Sequence, residues 1–211
     1  MNTKNSIFTN QLAVMAKMQA EHNRKVHAEW ETQGHRYYRA IWVECAELLD
    51  HFGWKWWKKQ DIDMEQVKLE VVDIWHFGLS DLIRDTLVGQ DLVEQMVSQI
   101  GKKGPDFREA VETLARCSLE DPKFNVDAFC DLLNALPMST DELYRIYIGK
   151  NVLNLFRQEH GYQTGDYRKK WNGLEDNQHL AEIVEELDSE DSQYPEQIRK
   201  ALADRYSGSN N

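Results

Sequence analysis

Three features of the 211-residue sequence predict an all-α fold. Apolar residues recur three and four positions apart along nearly its whole length, no segment alternates with period two for long, and only 4 prolines interrupt it. Hydrophobic residues at 41% and aromatics at 10% supply enough burial to exclude a disordered chain. The length suits a single multi-helix domain spanning 1–211.

The elements follow in order. Phe8, Leu12, Met15, Gln19, His22 and Val26 form one stripe of a first amphipathic helix, with Gln19 and Asn23 neighbours at i, i+4. A second helix is predicted over 37–52 on the spine Ile41, Cys45, Leu48, Phe52, stopped by Gly53, and a third over about 63–86. Weaker amphipathic stretches at 91–100, 106–117 and 125–136 are separated by turn-rich residues, so 89–137 is expected to be a mobile helical subregion. After Pro137, Ser139 and Glu142 mark a capping box that opens a long helix ending near His160, with Gly161 as its stop. A polar, aromatic loop over 162–177, short helices over 180–187 and 196–206, and a frayed tail over 207–211 complete the chain.

Composition excludes several classes of function. No apolar run approaches the ~18 residues of a membrane span, and the first ten residues lack an export signal. Cys45, Cys117 and Cys130 are odd in number and far apart, which fits neither a disulfide framework nor a zinc ribbon, so the expected compartment is the cytoplasm. A formal charge of −11 repels phosphate backbones, so neither nucleic acid nor membrane is expected as a partner, and an anionic substrate would need cations or a basic patch.

Two acidic steps carry the strongest chemical signal: Glu44-Cys45-Ala46-Glu47 on the second helix and Glu70-Val71-Val72-Asp73 on the third. At ~100° per residue, Glu44 and Glu70 both lie near about 300° from their helix spines, and Glu47 and Asp73 near about 240°. One such pair is ordinarily solvated charge. Matching offsets on two apolar helices instead predict four carboxylates converging along one contact, which asks for a cation. Oxygen-only ligands favour Mg²⁺, with Mn²⁺ as a substitute.

On the long helix Lys150, Asn154 and Arg157 share a face, and the loop beyond it adds Tyr162, Tyr167, Arg168, Lys169 and Lys170, a positive cluster suited to polyphosphate. Trp54-Lys55-Trp56-Trp57-Lys58-Lys59 and Trp75-His76-Phe77 offer aromatic faces beside bases. Trp75 reads as core and Phe77, beside the acidic step, as the better stacking face. His76 points about 60° from Asp73 on the wheel and reads as a hydrogen-bonded imidazole rather than a ligand.

The strings Glu44-Cys45-Ala46-Glu47-Leu48, Trp54-Lys55-Trp56-Trp57-Lys58, Glu70-Val71-Val72-Asp73-Ile74-Trp75-His76-Phe77 and Gly149-Lys150-Asn151-Val152-Leu153-Asn154-Leu155-Phe156-Arg157 resemble the dimeric dUTPase family, and Gly161-Tyr162, Tyr167 and Glu175-Asp176-Asn177 continue the likeness. That family belongs to the all-α nucleoside triphosphate pyrophosphatases. The resemblance covers most of the chain, apart from about 89–136. It implies a homodimer that hydrolyses dUTP, and dUDP through attack at the β-phosphorus, to dUMP. It implies Glu44, Glu47, Glu70 and Asp73 as Mg²⁺ ligands, with Glu44 or Glu47 also orienting water. Lys150, Arg157, Tyr162, Lys169 and Asn177 would meet the phosphates. Gln19, Asn23, Trp54 or Trp57, His76, Phe77 and Asn154 would meet the base or sugar. The acidic steps alone fit equally a pyrophosphatase for another nucleotide such as dCTP, or a non-catalytic helical interaction module.

Overall fold

A computed structural model describes residues 3–189 and 191–208. Its contacts divide the chain into two compact units, Met1–Tyr144 and Arg145–Asn211. No helix among the described residues is long and apolar enough to cross a membrane.

The first unit is built on α3 (Met64–Arg84), which is apolar on nearly every side and therefore central. The side chain of Asp63 caps its N-terminus by accepting from the Gln66 amide. Around it pack α1 (Thr3–Val26) and α2 (Tyr37–Phe52). Ile41, Cys45 and Leu48 are buried as the α2 spine requires, and Gly53, at φ +91°, ends the helix with its N–H on the Leu49 carbonyl.

The α1 stripe differs from the expected one at its end. Phe8, Leu12, Met15, Gln19 and Asn23 are buried, while Val26 is 49% exposed and His22 only partly covered. At ~100° per residue Val26 stands five full turns from Phe8 and so keeps the direction of the stripe; it is exposed as the last residue of the helix.

The middle of the chain forms α4 (Gln90–Gln99), α5 (Phe107–Glu120) and α6 (Val126–Ala135), capped by Asp106 on α5 and Asn125 on α6. Helix α5 packs on α2 and α6, and α4 on α1 and α6. Phe124 and Phe129 close around Trp75, the second ring stacked on the indole at 5.3 Å. The Phe124 N–H donates to buried Asp81 of α3 at 2.9 Å.

Helix α7 (Thr140–Glu159) starts with the Glu142 N–H on Ser139 Oγ at 3.1 Å. The Glu142 carboxylate turns to Lys68 Nζ at 2.7 Å.

In the second unit, the expected loop holds a small antiparallel hairpin, β1 (Lys170–Trp171) and β2 (Leu174–Glu175). Asn172 and Gly173, at φ +49° and +85°, make its two-residue turn, the backbone for which Asn-Gly is favoured. Among the described residues the fold is thus mostly helical with one hairpin. Asp176 and Asn177 belong not to the loop but to the first turn of α8 (Asp176–Glu186). Helix α9 (Tyr194–Ser207) packs on α8, and Gly208 caps it. The frayed tail expected over 207–211 therefore begins inside a helix at Ser207, and 209–211 lie outside the described residues.

Candidate active site

The two acidic steps face each other across the α2–α3 contact. One carboxylate oxygen from each of Glu44, Glu47 and Glu70 lies within 4.8 Å of the others. Glu70 is 5% exposed, Glu44 and Asp73 are half-buried and Glu47 is exposed. Asp73 stands outside that tight group, yet its charge acts on Glu44. Burial first, then the charges of Asp73, Glu70 and Glu47, and a hydrogen bond to Glu70, push the Glu44 carboxyl up to about 9. Burial and the neighbouring carboxylates thus both oppose ionisation of Glu44. A hard dication suits this all-oxygen donor set and would relieve the same repulsion. His51, which periodicity did not single out, places Nε2 3.7 Å from Glu70 Oε1.

Gln19, Asn23 and His76 come together in one buried network with Ser80. Gln19 Nε2 donates to Asn23 Oδ1 and to Ser80 Oγ, each at 3.0 Å, and Asn23 Nδ2 donates to Ser80 Oγ at 3.0 Å. Gln19 Oε1 meets His76 Nδ1 at 2.7 Å. An amide oxygen only accepts, so His76 carries its proton on Nδ1. Phe77, next along α3, is half-buried.

The tryptophan segment between α2 and α3 is surface. Trp54, Trp56 and Trp57 are 44%, 90% and 55% exposed and meet edge to face. Gln60 Oε1 accepts from the Trp54 and Lys55 amides, and the Trp54 indole N–H donates to Asp50 at 2.7 Å. Arg108 of α5 donates twice to the Gly53 carbonyl with its guanidinium over the Phe52 ring. Of these, Phe52, Gly53, Trp54, Lys55, Trp56, Gln60 and Arg108 line a recess of about 430 Å³ to which Trp57 does not contribute.

In the second unit, Lys150, Arg157, Asn154 and Asn177 share a network centred on fully buried Asp176. Arg157 grips both Asp176 oxygens at 2.8 and 2.9 Å and reaches Asn154 and Asn177 Oδ1 at 3.0 and 3.2 Å. Lys150 Nζ, 1% exposed, donates to Asn177 Oδ1 at 3.0 Å. Tyr167 donates its hydroxyl to Asp176 at 2.9 Å. Burial opposes the charge of Asp176, but its bonds from Arg157 and Tyr167 and the Arg157 and Lys150 charges outweigh it and hold the carboxyl below its usual range. Tyr162 and Lys169 lie outside this network: Tyr162 is exposed with its ring near the Arg157 guanidinium, and exposed Lys169 stands 4.0 Å from Glu175.

The sequence model of the dUTPase family matches residues 11–162, which takes in the carboxylates, the amide network, the tryptophan segment and Lys150 to Tyr162. The chain belongs to the dUTPase family. Specifically, this is the dimeric, all-α family that the motifs resemble, and membership makes the chain an enzyme of the dUTP diphosphatase class with a nucleotide substrate. Lys169 and Asn177 lie beyond the matched residues. No curated protein matches the sequence.

Ser80, His51, Gln60, Arg108 and Asp176 are the residues sequence reasoning missed. Gln60 acts on Trp54 and Lys55 within its own loop, the other four act through partners 19 or more positions away, and only Asp176 stood in a string already singled out.

Proposed function

We propose that the chain is a Mg²⁺-dependent dUTPase that hydrolyses dUTP to dUMP and pyrophosphate, and dUDP to dUMP and phosphate, acting as a cytoplasmic homodimer. The observation that carries the reading is the convergence of Glu44, Glu47 and Glu70 at the α2–α3 contact, where burial and the neighbouring acids raise the Glu44 carboxyl. Glu44, Glu47, Glu70 and Asp73 are the ligands, and Mn²⁺ replaces Mg²⁺. When bound there, Mg²⁺ would supply positive charge against the phosphates and Lewis-acid activation of water. Once ionised, Glu44 or Glu47 orients a water for in-line attack at the β-phosphorus and takes its proton. Attack at that atom is why the diphosphate would serve as well as the triphosphate.

The amides of Gln19 and Asn23, with His76 behind them, are assigned to the base, Phe77 to its face, and Trp54 or Trp57 with Asn154 to base and sugar. In the second unit Lys150, Arg157 and Asn177, with Tyr162 and Lys169, are assigned to the phosphates. Trp42 and Val43, each 39% exposed on α2, support a covered, dimeric state.

The test is release of pyrophosphate and phosphate from a panel of dNTPs and dNDPs, with Mg²⁺ or with EDTA. Turnover of dUTP and dUDP, abolished by EDTA, is expected. Turnover confined to another nucleotide discards the base contacts and keeps the metal site, and equal turnover in EDTA discards the metal site.

A further inference from the structure

The amide network has a fixed polarity, and one hydroxyl fixes it. Ser80 Oγ has a single proton to share between two acceptors, the His76 carbonyl one turn earlier, at 2.9 Å, and the Tyr37 oxygen, whose pKa burial raises and this bond lowers. Its lone pairs therefore face Gln19 Nε2 and Asn23 Nδ2, both as acceptors. Gln19 spends both amide protons, on Ser80 and on Asn23 Oδ1, and its own oxygen on His76 Nδ1. Asn23 spends one proton on Ser80 and keeps one N–H and one Oδ1 lone pair. Every bond runs in one direction around the ring. Turning the Asn23 amide over would set Oδ1 against the Ser80 lone pairs and its NH₂ against that of Gln19. With all four side chains no more than 9% exposed, water is poorly placed to repair those contacts.

We propose that Ser80 is a positioning residue that sets the polarity with which Asn23 meets the pyrimidine, and so makes the enzyme choose uracil over cytosine. The inference rests on the reading above that Asn23 contacts the base. Uracil presents a carbonyl oxygen where cytosine presents an amino group. A remaining Asn23 N–H is complementary to the first and opposed, donor against donor, to the second. Without Ser80, Asn23 could present either polarity if Gln19 turned with it and His76 moved its proton to Nε2; the Ser80 hydroxyl, accepting from both amides, removes that joint freedom. Thymine shares uracil's polar edge, so the device leaves uracil-against-thymine selection untouched. A site whose polar groups are committed in advance discriminates more strongly than one that tells bases apart by volume.

The test measures kcat/KM for dUTP, dCTP and dTTP on the wild-type enzyme, Ser80→Ala and Ser80→Cys, the last filling the same space with a feeble acceptor. The expected result is a dUTP-to-dCTP ratio that narrows at least about tenfold in both variants while the dUTP-to-dTTP ratio holds within about twofold. If Ser80→Ala fails to fold, Ser80→Cys alone decides. Equal narrowing of both ratios means a loosened pocket and overturns the proposal, as does no narrowing of either. A wild-type enzyme with no preference for dUTP over dCTP overturns the base-contact reading itself. A preference that is present and survives in both variants overturns only the role of Ser80.

Discussion

Glu44 binds a proton in the folded chain that it releases in the unfolded one. Its carboxyl moves from an ordinary 4.5 to about 9 on folding, so between those values the native state holds the extra proton and stability falls as pH rises. Denaturation followed in EDTA from pH 5 to 9 should show that decline, and Glu44→Gln should flatten it while abolishing turnover. An undiminished slope in the variant would place the burden on another group. Asp176 works in the opposite sense. Its carboxyl is depressed, so its contribution is complete above the ordinary carboxylate range and is lost as pH falls through the lowered value. Asp176→Asn leaves the Arg157 guanidinium buried without its bidentate partner, at an expected cost of about 3 to 5 kcal/mol in denaturant titration at neutral pH. The two acids also show what a sequence reveals about single residues. Glu44 was legible because its helical offset matches that of Glu70. The bond from Arg157 to Asp176 spans 19 positions, and no local period encodes it.

At the scale of elements, the helices of the first unit follow from spacing and caps. The α2 bounds are those the spine and Gly53 dictate, and Asp63, Asp106 and Asn125 each accept from the first turn they precede. The hairpin at 170–175 was missed because two-residue strands have no period to detect, although Asn172-Gly173 was a turn signal in plain view. Close approach of helices is likewise invisible in a pattern. An ideal Cβ on Gly149 of α7 would stand 2.7 Å from Val184 Cγ2 and 3.3 Å from Leu180 Cδ1 of α8. Gly149→Ala should therefore destabilise the chain by about 1 to 3 kcal/mol. At Gly89, by contrast, the backbone is extended and a Cβ would meet open space. Gly89→Ala should cost about 0.5 to 1 kcal/mol, because alanine is a poorer N-cap for α4 and not because of crowding, and thermal melts of the pair make the comparison.

For the whole molecule, a charge of −11 and an acidic cluster at the α2–α3 contact give the proposed cation a consequence for stability as well as for turnover. Mg²⁺ at 100 times its dissociation constant should add about 2.7 kcal/mol, a rise in Tm that Glu70→Gln should remove. The sequence disclosed the carboxylates and amides as separate patches. It did not disclose the hydroxyl that orders the amides or the arginine that holds the Gly53 carbonyl, since both depend on which helices meet. The seven tryptophans divide in the same way by position in the fold. Trp30, Trp75 and Trp171 are at most 2% exposed, while Trp42, Trp54, Trp56 and Trp57 are open to solvent, three of them within one short segment. The intrinsic fluorescence of the chain thus has an acrylamide-resistant part that reports the core and a quenchable part dominated by 54–57. Nucleotide or partner binding at that segment would shift the second part and leave the first in place, so the protein carries its own label there, with no dye attached.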